Sequence, residues 1–170
     1  MKKHRVVVIA LGGNALIMEG QRGTIAEQFE NTRKSLGGIV YCLKQGYGVV
    51  ITHGNGPQVG SMLLMVEASR NQVPELPLGV CVADTEGAIG YMIQQSLTNR
   101  LRKEGLDRCV VTVLTQVIVD KHDTAFSNPT KPIGPFFTEE DAERFRKEKG
   151  WHIVEDSHRG YRRVVASPNP

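Results

Sequence analysis

The chain contains no glycine followed by lysine, so the phosphate-cradling loop G-x-x-x-x-G-K-[ST] is excluded. Its cysteines are few. Cys42, Cys81 and Cys109 are odd in number, far apart and without a C-x-x-C pair, which leaves no basis for a disulfide framework or a zinc cluster. They are expected to be reduced and to pack as small apolar residues. Long hydrophobic runs are missing as well. The longest near the amino terminus, Val6 to Leu11, is too short for a signal-peptide core or a membrane span, and no small-residue cleavage site follows it. The expectation is a cytoplasmic protein with no membrane partner. Nor is there a large charge excess: 21 Lys and Arg against 18 Asp and Glu give +3, with basic and acidic residues interleaved. That balance argues against nucleic acid as a partner. Internal repeats and low-complexity segments are also absent.

What is present is a chain of 170 residues, 40% of them hydrophobic and spread along its length, enough for a sizeable core. Arg5 to Leu11 is a continuous β-branched run ending in glycines, the pattern of a strand buried on both faces of a parallel sheet. A helix is predicted from Ile25, since Thr24-x-x-Glu27 forms a capping box and Phe29, Leu36, Val40 and Leu43 recur at helical spacing, with Gly46 as its stop. Tyr47 to Thr52 reads as a second strand and Gln58 to about Arg70 as a second helix. Pro74 and Pro77 then mark a surface connection. A longer helix is predicted from roughly Val82 to Glu104, with Ile89, Met92, Ile93, Leu97 and Leu101 on one face and Gly105 at its end. Cys109 to Val119 reads as one long buried strand. This alternation predicts an α/β fold, a layered and mainly parallel sheet with flanking helices, whose ligands sit beyond the carboxyl ends of strands.

After Asp120 the texture changes. Pro129, Pro132 and Pro135 recur every three residues, Thr138 can cap a short charged helix ending near Gly150, and Trp151 to Glu155 and Tyr161 to Val165 suit a hairpin joined through Ser157-His158-Arg159-Gly160. The expected organisation is an α/β lobe over residues 1–120 and a small α+β subdomain over 121–165.

Two glycine turns carry the chemistry. Gly12-Gly13-Asn14 and Gly54-Asn55-Gly56-Pro57 each follow an apolar strand. A glycine there lets the backbone approach a ligand, because no Cβ intervenes. A following helix adds free N–H groups and its positive end. Pro57, which lacks an N–H, suits an early helical position. Either turn alone is equally well explained by tight strand-to-helix packing. Together, at the ends of strands in one sheet, they can share a crevice, and each brings an Asn amide able to contact a phosphate or carboxylate oxygen. Gly54-x-Gly56-x-x-x-Gly60 approaches a dinucleotide fingerprint, but no acidic residue ends a strand about 20 residues on.

These segments resemble a known family. Ala10-Leu-Gly-Gly-Asn-Ala-Leu16, Thr52-His-Gly-Asn-Gly-Pro-Gln-Val-Gly60, Leu114-Thr-Gln-Val-Ile-Val-Asp120 and Asn128-Pro-Thr-Lys-Pro-Ile-Gly-Pro-Phe136 resemble carbamate kinase, the first two also the wider amino-acid kinase fold. The proline-flanked segment around Lys131 is the discriminating one, since it resembles the protruding subdomain of carbamate kinases. The resemblance runs from residue 5 to residue 170. It implies reversible phosphoryl transfer between ATP and carbamate, with ATP or ADP and Mg2+ as cofactors of the complete enzyme, carbamate or carbamoyl phosphate as substrate, and a homodimer. It also implies a physiological direction toward ATP, usually in arginine catabolism. Such transfer needs mainly alignment and charge neutralisation. Gly12, Gly13, Asn14, Gly54, Asn55 and Gly56 would hold the carbamate and the transferred group.

Lys131 matches the family's lysine on the protruding lobe and would supply a mobile positive charge; without the resemblance it reads as an ordinary surface lysine. His53 is expected to orient the second turn rather than to act on phosphate. Arg159, Arg162 and Arg163 resemble an arginine-rich hairpin, with an ion pair to Glu155 or Asp156 expected for at least one. The sequence departs from the family pattern at Thr124, His158 and Ala166, and His158 stands where glycine is common. No residue cluster here has metal-ligand spacing. The family's nucleotide-binding lobe has no counterpart after residue 120. Two readings follow: the acceptor-binding half of a carbamate kinase, inactive by itself, or a catalytically silent anion-binding or dimerisation module.

Overall fold

The computed structural model describes residues 5–18 and 20–170, apart from the side chain of Asn14. The chain is mixed α/β, with one parallel and one separate antiparallel sheet. By compactness it forms two units, residues 1–55 with 84–114, and residues 56–83 with 115–170.

In the first unit, β1 (Val6–Leu11) and β2 (Gly48–His53) pair in parallel, from Val6 opposite Gly48 to Leu11 opposite His53. Helix α1 (Ile25–Lys44) crosses between them. Its start is the capping box: Thr24 Oγ1 accepts from the Glu27 amide, and Glu27 Oε2 accepts from the Thr24 amide at 2.7 Å. The Thr24 amide first, and then the Thr24 hydroxyl donating to Glu27 Oε2 at 2.9 Å, hold the Glu27 carboxyl below its ordinary pKa. Gly46, at φ 82°, ends the helix. Helix α3 (Leu78–Lys103), of which the part from Asp84 onward belongs to this unit, starts directly after Pro77, four residues earlier than its apolar stripe suggests. The stripe is buried as expected: Ile89, Met92 and Ile93 pack with Leu11 and Leu16, while Leu97 and Leu101 join Leu36, Ile39 and Val40 of α1.

Two expectations need correction here. The first strand is not buried on both faces: Ile9 packs on the helices, whereas Val6 and Val8 are 63% and 65% exposed, and β2 alternates in the same way, Val49 and Ile51 packed and Val50 48% exposed. Alternation along a strand sends neighbours to opposite faces, and among the described residues the helices cover one face only. The run from Cys109 to Val119 forms no strand. Thr112 ties it to α3 by donating to Gln94 Oε1 at 2.9 Å, yet Val111, Val113 and Ile118 are 71%, 73% and 92% exposed. A β-rich sequence becomes a strand only when an edge pairs with it. Among the cysteines, Cys81 is buried, Cys42 half-buried and Cys109 exposed.

The second unit holds helix α2 (Gly56–Ser69), strand β3 (Lys131–Phe137), helix α4 (Glu139–Lys149), and strands β4 (Ile153–Glu155) and β5 (Tyr161–Val165). The sheet order is β3-β5-β4, all antiparallel. The proline-rich stretch is thus a strand. It tolerates Pro132 and Pro135 because β3 lies at an edge, where a missing N–H breaks no ladder on its outer side. Thr138 caps α4 by accepting from the Asp141 amide at 3.1 Å, and Gly150 ends it at φ 63°. Phe137, Phe145 and Trp151 form an aromatic cluster with centroids 5.0–6.5 Å apart, and the Arg163 guanidinium stacks on Trp151 at 4.3 Å. Lys149 pairs with Glu67 of α2. The expected β4–β5 hairpin is present, but Ser157 and His158 both sit at φ 56°. That left-handed turn favours Asn and Gly, so the departure at His158 carries backbone strain.

Candidate functional site

The parallel pairing of β1 and β2 decides where the glycine turns go. Because Leu11 lies opposite His53, Gly12-Gly13 and Gly54-Asn55 leave the same end of the sheet from adjacent strands, whose backbones run about 4.8 Å apart. Gly12 is extended (φ −71°, ψ 176°) and opens a short 3-10 turn over Gly13–Ala15, closed by the Ala15 amide donating to Gly12 O at 2.9 Å. A Cβ built on Gly12, Gly13, Gly54 or Gly56 meets nothing within 4 Å. Nor do any of these four have a positive φ. Among the described residues, therefore, neither crowding nor a positive φ calls for glycine at these positions.

Beneath the first turn lies a residue that sequence reasoning missed. Asn31 of α1 is fully buried, and its amide donates to Leu16 O at 3.0 Å and Gln21 Oε1 at 2.6 Å. Gln21 Oε1 also accepts from the Met18 amide at 2.9 Å. Asn31 thus clamps the segment that follows Gly12-Gly13-Asn14. No local sequence signal marks it, since both partners lie ten or more residues away in the chain. Asn31→Ala takes its donor from the Leu16 carbonyl, while Gln21 Oε1 keeps the Met18 amide, and is expected to cost about 1–3 kcal/mol. An unchanged urea midpoint would show that the clamp carries no stability.

The second turn is held differently. Asn55 donates from Nδ2 to Thr85 Oγ1 of α3 at 3.0 Å, and Thr85 is buried. Part of the amide that sequence reasoning assigned to phosphate thus fastens the turn to α3. His53 ends β2 with its Nδ1 buried and unpartnered, beside a cavity of about 210 Å3 lined also by Val49, Ile51, Ile93, Gln94 and Thr112. Gly56 is the first residue of α2, and Lys131, exposed, is the first residue of β3, paired with Val165. Those two belong to the second unit, whereas Gly12, Gly13, Asn14, Gly54 and Asn55 belong to the first. The Asn14 side chain lies outside the described part. Arg162 makes the expected hairpin ion pair, Nη1 to Asp156 Oδ2 at 3.1 Å. Among the described residues no group of three or more His, Cys, Asp or Glu could hold a metal, and no helix is long and apolar enough to cross a membrane.

Curated relatives share this sequence at high identity. The carbamate kinase of Pyrococcus furiosus is 57% identical over 166 residues, and that of Thermococcus kodakarensis 54% over 167, each match covering 96% of this chain and 53% of the relative. The chain is homologous to the carbamate kinases. It spans about half the length of the curated relatives it matches. No family model matches it. The fold agrees with solved structures of the same name: carbamate kinase from Giardia lamblia bound to citric acid has a TM-score of 0.90 at 42% identity, covering 99% of this chain and 54% of that one. The same enzyme bound to AMP-PNP has a TM-score of 0.84 at 42% identity, covering 100% and 54%.

Proposed function

We propose that this chain is the acceptor-binding half of a carbamate kinase-type phosphotransferase, which moves the terminal phosphoryl group of ATP onto a carbamate oxygen, giving ADP and carbamoyl phosphate, and runs the reverse reaction. The observation that carries this reading is the pair of glycine turns at one end of paired parallel strands, with open space over Gly12, Gly13, Gly54 and Gly56. Backbone N–H groups exposed there can hold an oxyanion without a protein nucleophile, which is what phosphoryl transfer requires. Asn14, Asn55 and Lys131 are the further contacts that the family resemblance implies; Lys131 contributes charge to the transferred phosphoryl group.

In this reading residues 1–120 form the carbamate and phosphate lobe and residues 121–165 the protruding subdomain, with layered helices around the parallel sheet. The remainder of the enzyme supplies the site for ATP or ADP and Mg2+; the described residues offer no acidic cluster for the metal. The exposed apolar side chains of β1 and β2, together with Val111 and Val113 of the same unit, suit a surface that further polypeptide covers. The cytoplasmic homodimer and the role in arginine catabolism rest on the family resemblance.

The test uses the purified chain with carbamoyl phosphate. Amide resonances of Gly12, Gly13, Gly54 and Gly56 are expected to shift on titration, while carbamoyl phosphate with ADP and Mg2+ gives no ATP above background. Absence of any shift sinks the acceptor site, and appreciable ATP formation overturns the assignment of half an enzyme.

A further inference from the structure

Gly60, one turn into α2, meets Gly134, in the middle of β3, backbone to backbone. A Cβ on Gly60 would fall inside the main chain of Gly134, against atoms that cannot swing aside as a side-chain tip could. The contact is asymmetric: a Cβ on Gly134 would lie at an ordinary 3.4 Å from Gly60 Cα. Gly134 is fixed from its other side as well. Arg162 of β5 donates from Nε to Gly134 O at 3.1 Å, and its own guanidinium is held by Asp156. The left-handed conformation of Gly134, φ 76°, coincides with the register break between Ile133 and Phe137. Val59 and Ile133, next to the two glycines, are buried.

Each side of this contact leads to a proposed ligand contact. Gly60 stands four residues from Gly56, about 6 Å along a helix. Gly134 stands three residues from Lys131, about 10 Å along a strand. We propose that Gly60 is a positioning residue: its missing side chain sets the distance between the amino-terminal end of α2 and the strand that carries Lys131. This rests on the role given to Lys131 above. Any side chain at position 60 forces β3 away from α2 by roughly an ångström or more, a displacement of the size that costs alignment of a reacting group.

The experiment is a double-mutant cycle on the 170-residue chain, with carbamoyl phosphate affinity and melting temperature both measured. Lys131→Ala is expected to weaken binding about tenfold, the loss of one charge-assisted contact. Gly60→Ala is expected to weaken it by a similar factor in the wild-type background and by less than about twofold in the Lys131→Ala background, since coupled residues are not additive. Ala142→Gly, at the buried position of α4 in the same unit, supplies the control: it lowers the melting temperature and leaves affinity unchanged. Should Gly60→Ala not fold, Arg162→Met releases Gly134 from the opposite side and takes its place in the cycle. The inference is overturned if Gly60→Ala lowers melting temperature without changing affinity, or if its effect persists in full without Lys131. An unchanged affinity in Lys131→Ala alone instead removes the role of Lys131, a separate failure.

Discussion

Lys131→Ala, placed in a complete enzyme carrying this chain, is expected to lower kcat about ten- to a thousandfold, the loss seen when one transition-state donor is removed. Lys131 is exposed and is held in β3 through its backbone. Truncating the side chain therefore removes charge and little packing, so the melting temperature should stay within a degree or so of the parent. An ammonium on a flexible stem can follow the phosphoryl group as negative charge spreads over its oxygens. Its loss should thus appear mainly in kcat, with a smaller rise in KM. Lys131→Arg keeps the charge but not the compact geometry and should recover activity only in part. Steady-state ATP formation from carbamoyl phosphate and ADP reads all three values. An unchanged kcat for Lys131→Ala removes this residue from the mechanism.

The largest stability loss is expected at Ile39. It is fully buried between α1 and α3, in a cluster with Leu36, Val40, Leu97 and Leu101. Ile39→Ala removes three carbons from a site enclosed on all sides, which costs about 3–4 kcal/mol, a large share of the 5–15 kcal/mol that typically stabilises a domain. Leu101→Ala offers the comparison. Leu101 is also buried, but it lines the cavity of about 210 Å3 beneath residues 108–113. It already lacks packing atoms on one side, so its truncation loses fewer contacts, about 2 kcal/mol. Urea denaturation of both variants measures the difference. Equal losses would mean that the cavity is closed in solution.

Local chemistry was legible wherever the deciding partner lay within one helical turn. Thr24 and Glu27 announce the start of α1, Thr138 the start of α4, and Gly46, Gly105 and Gly150 the ends of three helices, because caps and stops need only neighbours three or four residues away. The apolar stripe of α3 identified its buried face for the same reason. Non-local pairing was not legible. The proline-rich segment becomes an edge strand only because β5 arrives from 30 residues further on, and the valines of residues 109–119 stay unpaired because no described edge meets them. Asn31 carries no local signal, because the Leu16 carbonyl it donates to lies 15 residues away in the chain.

The candidate site divides along the same line. By itself the sequence determined that two glycine turns follow apolar strands and that a lysine sits among prolines, since composition and spacing are one-dimensional facts. It also carried the likeness to carbamate kinases. Tertiary structure alone decided that both turns leave one end of the sheet, because parallel register is set by packing on α1 and α3. It alone showed open space above the glycines of the turns and none above Gly60, because whether a missing Cβ serves a ligand or a neighbouring backbone depends on what lies within 4 Å of it.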